Sequence, residues 1–358
     1  MRLELLRLDD FRLFDQLAVD FIDGWNLFVG PNGAGKSSLV EAAFLLSHGR
    51  SFRARSRDAL ARHGQAGYAI YGQIASQGGP RRLGLARSGQ RLEARIDGVS
   101  VAVGELMRHA AVVCFEPGSH ELVSGPSEVR RRFLDWGVFH VEPDFLAVWR
   151  RYQRALRQRN ALLRTDARVA ELEPWDIELA QAAVPLSAMR QRYFAALEPH
   201  ARAALALLLP ELGAAEFALS GDAASVDELL AALRARHQRD RSRGHTGVGP
   251  HRADWSFVFG GAGRREHLSR GQEKLCALAL AVAQVRLFAG MRGEWPILCL
   301  DDLASEVDAE HLQRVVTTVD AMPVQVILTG TALAPALQQR ARPGATFHVE
   351  QGRVARLL

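Results

Sequence analysis

Residues 30–38 read GPNGAGKSS, preceded by the apolar run WNLFV and followed by LVEAAFLLSHG. Gly30, Pro31, Asn32, Gly33, Ala34, Gly35, Lys36 and Ser37 satisfy the full phosphate-loop pattern, with Ser38 completing the turn into a helix. The flanks are what that pattern requires, a buried strand before it and an amphipathic helix after it. Glycines let successive backbone amides converge on a phosphate at a helix N-terminus, where the aligned peptide dipoles favour negative charge. In this reading Lys36 bridges the β- and γ-phosphates of ATP, and the Ser37 hydroxyl binds Mg2+. The stretch predicts an α/β fold built on a largely parallel sheet.

A second stretch supports the same chemistry. Residues 296–302, PILCLDD, form an apolar strand ending in two carboxylates. A buried parallel strand delivers such residues to its C-terminal edge, where open α/β sheets bind nucleotides. Asp301 is placed to hold the magnesium directly or through water, and Asp302 to orient or deprotonate an attacking water. Lys36, Asp301 and Asp302 are therefore the candidate catalytic residues.

Residues 268–274, LSRGQEK, pose a different question, because the chain already has a phosphate loop. Ser269 is an N-cap residue type and Gln272 stands three positions later, a capping box opening the helix that continues as LCALALAVAQVRLF. The stretch therefore makes a second helix end able to accept an anion.

The remainder of the 358 residues sets limits. Hydrophobic residues make up 48% and charged ones 24%, enough for a sizeable core. The formal charge of +5, with a pI of about 9.5, is compatible with a polyanionic partner and equally with a solvated surface. Only two of the 45 basic residues are lysines, Lys36 and Lys274, one in each glycine-bearing stretch. A base-composition bias accounts for the arginines. A site needing a compact ammonium resists the exchange, because a planar guanidinium does not fit the same cradle. Cys114, Cys276 and Cys299 lie in apolar text without metal-ligand spacing and read as buried hydrophobes of a reducing, cytoplasmic compartment. No apolar run reads as long enough to span a bilayer, so no membrane association is expected.

Three regions are expected. Residues 1–126 carry the phosphate loop and a β meander (YAIYGQIAS, RRLGLAR, RLEARIDG). Residues 127–240 are Arg-, Ala- and Leu-rich helical text, as in FLAVWRRYQRALRQRNALLR, with Trp149, Tyr152, Leu156 and Leu163 near helical spacing. Residues 241–358 return to the core with strand-like WSFVF, a turn GGAG and the two motifs just described.

The order of capped turn, apolar helix and acidic strand resembles the ABC-type ATPase heads, whose signature turn closes over the γ-phosphate held by a second subunit. Further stretches narrow the match: DDFRLF, GPNGAGKSSLVEAAFLLSHGRSFRAR, FEPGSHELVSGPSEVRRRFLDW, GHTGVGPHRADW, HLSRGQEKLCALALAVAQ and LCLDDLASEVDAEH. Together they span most of the chain and resemble the RecF family of bacterial recombination-mediator ATPases, related to SMC heads. The resemblance implies a P-loop ABC-type ATPase head with an antiparallel β subdomain and an inserted helical lobe. It implies ATP-dependent homodimerisation, binding to single- and double-stranded, gapped or junction-containing DNA, and work with RecR and RecO in loading RecA. By the same resemblance Ser269, Gly271 and Gln272 contact the partner's nucleotide, and Ser305, Glu306, Val307 and Asp308 form the loop coupling the two sites. Where many ABC heads carry Glu, this chain carries Asp302, whose shorter side chain implies slow hydrolysis. Thr329, Gly330 and Thr331 stand where transporters have a switch histidine, and Glu116 stands near the usual sensor glutamine. Arg12 reads either as a phosphate or adenine contact or as a structural residue.

Three arginine groups are candidates for the DNA contact: Arg50, Arg53, Arg55 and Arg57; Arg130, Arg131 and Arg132; and Arg150, Arg151, Arg154 and Arg157. The alternative is the ATPase subunit of an ABC transporter, which shares the core motifs. A nuclease- or topoisomerase-related ATPase would carry a further acidic metal cluster, and a structural SMC protein long heptads.

Overall fold

The two apolar strands that carry the motifs lie two places apart in one sheet. The computed structural model describes residues 1–54, 56–165, 168–260, 263–264 and 268–357. Arg55, the middle of the GGAG turn and His267 of the HLSRGQ stretch lie outside the described residues. The chain divides into two units, one of Met1–His120, Ala203–Glu211 and Leu268–Leu358, the other of Glu121–Arg202 and Leu212–His267.

The first unit holds two six-stranded sheets. One is antiparallel and contains β1 (Arg2–Phe11), β2 (Phe14–Asp20), β4 (Gly67–Ala75), β5 (Arg81–Ser88), β6 (Arg91–Ile96) and β7 (Val99–Val101), in the order β2-β1-β4-β5-β6-β7. Alternation drives it: Tyr68, Ile70, Gly72 and Ile74 of β4 are buried and the residues between them are partly exposed. The other sheet contains β3 (Trp25–Val29), β8 (Val112–Phe115), β12 (Ile297–Leu300), β13 (Gln325–Gly330), β14 (Gly344–Glu350) and β15 (Arg353–Arg356), in the order β15-β14-β3-β13-β12-β8. All its pairings are parallel except that of β14 with the edge strand β15.

The helix Lys36–His48 packs against both sheets, and all its residues but Ser37 and His48 are buried. The amphipathic pattern expected after the phosphate loop thus gives way to burial on nearly every face, because the helix has a sheet on each side. A second core helix, Arg270–Arg292, corrects the expectation about bilayer-length segments. It has the length and, at mean hydropathy 1.5, the apolarity of a spanning segment, and 72% of that apolar stretch is buried inside the protein.

The second unit contains the helices Ser127–Val141, Phe145–Leu163, Val226–Ala235 and His237–Arg243, with most of the long helix Val169–Leu208. It also holds an antiparallel sheet of β9 (Ala215–Ser220), β10 (Asp254–Phe259) and β11 (Gly263–Arg264), ordered β11-β10-β9. The reading of the sequence began the return to the core at residue 241. The unit instead runs to His267, because β10 pairs along its full length with β9, a strand hidden in the Ala-rich helical text.

Candidate functional site

Register in the parallel sheet assembles the site. Leu300 of β12 pairs with Leu328 of β13 and with Phe115 of β8, while Gly330 of β13 pairs with Val29 of β3. The residues that follow these pairs, Gly30, Asp301 and Glu116, with Thr329 at the end of β13, therefore emerge along one edge of the sheet. A cleft of about 580 Å³ lies there, lined by the phosphate loop, Asp301, Asp302, Thr329, Glu116 and Arg12.

The loop's shape depends on two glycines. A Cβ on Gly30 would lie 2.0 Å from the carbonyl oxygen of Val349 on β14, a backbone atom that cannot step aside. Gly35 has φ 109°, and a Cβ there would meet the Phe14 ring at 2.9 Å. With the chain so turned, Lys36 Nζ donates to the carbonyls of Gly30 (2.8 Å) and Pro31 (2.7 Å). Burial lowers the Lys36 pKa, and the carboxylates of Asp302 and Asp301 oppose that shift.

Asp301 is 2% exposed, and burial raises its pKa. Hydrogen bonds from Thr329 and Ser37 work in the opposite direction, with Thr329 Oγ1 donating to Oδ1 at 2.6 Å. The Asp302 backbone N–H in turn donates to Thr329 Oγ1 at 2.9 Å. That bond fixes Asp302 in the left-handed region (φ 53°), and Ser305 Oγ donates to Asp302 Oδ1 at 2.9 Å. A single hydroxyl thus positions both carboxylate residues.

Of the residues singled out from sequence, Asn32, Gly33, Gly35, Lys36, Ser37, Ser38, Asp301 and Asp302 line the cleft. Gly30 and Pro31 contribute carbonyls to Lys36, and Ala34 is buried with its carbonyl accepting from Gly352 N–H. Ser269, Gly271 and Gln272 are elsewhere and line no part of this cleft. They start the helix Arg270–Arg292 with a complete capping box: Gln272 N–H donates to Ser269 Oγ, and Ser269 N–H to Gln272 Oε1. Ser269, Arg270 and Gly271 are exposed, and a Cβ on Gly271 would touch nothing nearer than Ser269 Oγ at 3.9 Å. Nothing among the described residues requires glycine there, although glycine costs a helix about 1 kcal/mol relative to alanine.

Arg12 resolves toward a structural role within the cleft wall. Its Nε and Nη2 donate to both oxygens of Glu41, which is 0% exposed, and Nη1 donates to the Ala59 carbonyl at 2.6 Å. Three of its five N–H donors are thereby committed. Thr329, which stands where transporters have a switch histidine, has a role that its sequence position does not suggest: the parallel register places position 329 beside 301.

The arginine groups also separate. Arg130 is buried and doubly bonded to Asp254 (2.7 and 2.9 Å), and Arg131 donates to Ser127 and to the Ala253 carbonyl. These two hold the second unit's helix Ser127–Val141 to β10, a correction to their candidacy for DNA. Arg151 pairs with Glu178 through two bonds of 2.7 Å, while Arg150 and Arg154 line a shallow groove beside it. Arg53 lines the cleft of the first unit.

Comparison with known proteins agrees with this geometry. The family profile described as the RecF/RecN/SMC N-terminal domain matches residues 2–354. The DNA replication and repair protein RecF of Stenotrophomonas maltophilia (strain R551-3) is 47% identical over 361 residues, 99% of each chain. Its counterpart in Hydrogenovibrio crunogenus (strain DSM 25203 / XCL-2) is 34% identical, covering 93% of each. A solved structure of the recombination mediator RecF–ATP in the RecFOR pathway superposes with a TM-score of 0.89 at 25% identity, over 99% of this chain and 97% of that one. The Smc head domain of Pyrococcus furiosus, at 15% identity and a TM-score of 0.60, shares the fold. With its phosphate loop, its acidic strand and its capped second turn in one SMC-like head, the chain belongs to the RecF family.

Proposed function

We propose that this protein is an ATP-switched, DNA-binding recombination mediator. It binds ATP in the cleft, associates head to tail with a second copy, engages gapped or junction DNA, and helps to load RecA together with RecR and RecO. The observation that carries the reading is the separation of two half-sites. The phosphate loop, Asp301 and Asp302 share one cleft, whereas Ser269 and Gly271 stand exposed outside it with Gln272 half-buried beside them. An exposed glycine in a helix's first turn, with no steric reason in its own chain, suits a surface that another molecule approaches closely.

The cleft residues fit Mg2+ as well as nucleotide. The Ser37 hydroxyl and the Asp301 carboxylate line the same cleft, a hard-oxygen pair of the kind this ion takes alongside phosphate oxygens and retained water. When bound, the ion would neutralise charge on the β- and γ-phosphates. In the proposed reaction Lys36 turns from the Gly30 and Pro31 carbonyls to the γ-phosphate, and the loop amides orient the chain of phosphates. Asp302 accepts a hydrogen bond from the attacking water. Its short side chain, already shared with Ser305, suits slow hydrolysis and hence a timing switch. The γ-phosphate supplies contacts that ADP lacks, which is what makes association dependent on nucleotide state.

The test is the protein's mass in solution with ADP, with ATP, and with ATP plus a gapped duplex, beside Lys36→Arg and Ser269→Arg variants. A dimer formed only with ATP and lost in the Ser269 variant is expected. A monomer under all conditions would refute the shared site. Family membership displaces the transporter alternative.

A further inference from the structure

Residues 234–245 read RARHQRDRSRGH, the basic stretch at the end of the helical text. Its five arginines accompany a single carboxylate, Asp240, which points inward. Asp240 is 1% exposed and accepts from Arg159 Nη1 at 2.8 Å. Arg159, itself 0% exposed, also bonds Asp176 (2.6 Å) and the Thr246 hydroxyl (2.8 Å), and His237 Nε2 meets the other oxygen of Asp176 at 2.6 Å. Asp240 and Asp176 are therefore neutralised internally by Arg159 and His237.

That network fixes the helix His237–Arg243 from beneath. Asp240 also accepts from Gly247 N–H, and Asn160 holds Thr246 through both its N–H and its hydroxyl. On the outside, Arg234 is paired with Glu173. Arg239 and Arg243, four apart, share one flank of the helix His237–Arg243, and the half-buried Arg236 is its N-cap residue. Arg239 and Arg243 are exposed and meet no carboxylate among the described residues. Arg164 joins them: it is exposed and its Nε donates to the carbonyl of Gly244, directly after Arg243. Like charges four apart destabilise a helix by a few tenths of a kcal/mol, so this short helix carries repulsion that the buried network offsets.

We infer that the ridge of Arg164, Arg236, Arg239 and Arg243 is a sequence-independent contact for the phosphate backbone of duplex DNA. The inference rests on the DNA-binding reading above and gives it a surface that none of the three arginine groups picked from the sequence contains. Duplex DNA offers one charge per 1.7 Å of axis, a dense target for guanidinium groups held at fixed spacing. Single strands are held largely by stacking on aromatic side chains, and residues 234–245 include no Phe, Tyr or Trp. Phosphate contacts of this kind position a protein without reading bases.

The experiment is a salt titration of duplex binding by the full chain with ATP, between 50 and 200 mM NaCl, comparing wild type with Arg239→Gln/Arg243→Gln and Arg239→Lys/Arg243→Lys. Each lost phosphate contact flattens the slope of log K against log salt by about 0.9, so the Gln pair is expected to flatten it by about 1.8. With lines converging near 1 M salt, that corresponds to roughly 60-fold weaker binding at 0.1 M. The Lys pair should keep the wild-type slope, and thermal melts should confirm that both variants fold. A Gln pair with wild-type slope and affinity overturns the assignment. So does one that keeps duplex binding but loses affinity for poly-glutamate, since the ridge would then serve an acidic protein. If wild type itself fails to bind duplex at low salt, the DNA reading falls first and the ridge with it.

Discussion

Replacing Thr329 by valine tests the hub of the cleft with almost no change of shape. The hydroxyl donates to Asp301 Oδ1 at 2.6 Å and accepts from Asp302 N–H at 2.9 Å, and Thr329 is itself buried. Valine abolishes both bonds while leaving the two partners in place. A buried group that loses its partner costs about 1–3 kcal/mol, more when the group is charged, so Thr329→Val should destabilise the fold by about 3–4 kcal/mol at pH 7. Against a typical total of 5–15 kcal/mol, urea denaturation would resolve that easily.

The pH dependence carries a second signature. Burial already raises the Asp301 pKa above its ordinary value, and the Thr329 bond acts to lower it. Removing that bond raises the folded-state pKa further while the unfolded value stays near 3.9. Between those two values the folded state holds more protons than the unfolded one, so folding stability declines as pH rises through the interval. The penalty of the valine variant should therefore be full above the folded pKa and shrink on acidification toward the unfolded value. Under the proposed role of Asp301 as an ionised metal-holding carboxylate, the acidic limb of ATP hydrolysis should move to higher pH. A variant losing less than about 1 kcal/mol, with an unmoved pH profile, would refute the claim that this hydroxyl organises the two carboxylates.

Three further substitutions follow from the same geometry. Gly271→Ala should leave the melting temperature unchanged or raise stability by about 0.5–1 kcal/mol, while weakening ATP-dependent dimer formation in sedimentation. Arg12→Ala leaves the fully buried Glu41 without its cation, with only the Ser51 hydroxyl still donating to it, and should cost about 3 kcal/mol by urea midpoint, with nucleotide affinity falling as the cleft wall loosens. Arg159→Met leaves Asp176 and Asp240 buried without their shared cation; a loss of about 3–5 kcal/mol is expected, read by thermal denaturation of the full chain.

What the sequence made legible was local. The strand, loop and helix around residues 30–38 are contiguous, so composition and spacing sufficed, and the same holds for the capping box at Ser269 and Gln272. The meander of β4, β5 and β6 announced itself by alternation between turn-rich links. Pairings across long separations were hidden. Arg130 looks like a surface cation in RRR until Asp254, 124 positions later, is seen to accept both its bonds. β9 passed as helix because AEFALS has no strong strand character of its own and is fixed by pairing with β10. Thr329 acquires its role only from the register of β13 against β12. The apolarity of Arg270–Arg292 likewise has a tertiary cause, since nearly every face of its middle turns is covered.

The second lysine shows how the cleft and the capped turn are joined within one chain. Lys274 lies in the second turn of the helix that Ser269 caps, where the helix dipole disfavours a cation, and it is ion-paired with Glu306. Glu306 ends the short helix Leu303–Glu306, whose N-cap is Asp302, the residue anchored to Thr329 through its N–H and to Ser305 through its carboxylate. From Asp301 to Lys274 the connection is therefore continuous: carboxylate, Thr329 hydroxyl, Asp302 backbone, one helical turn, ion pair. A displacement of Asp302 when the cleft changes its contents would have to be absorbed in that turn or passed to Glu306, and the ion pair transmits it to the exposed start of the signature helix. The chain's two lysines thus stand near the two ends of this path, Lys36 in the cleft with Asp301 and Lys274 in the capped helix. Under the proposed dimerisation, a change of contents at the cleft alters by this route the surface at the capped turn, without any long-range motion of the sheet.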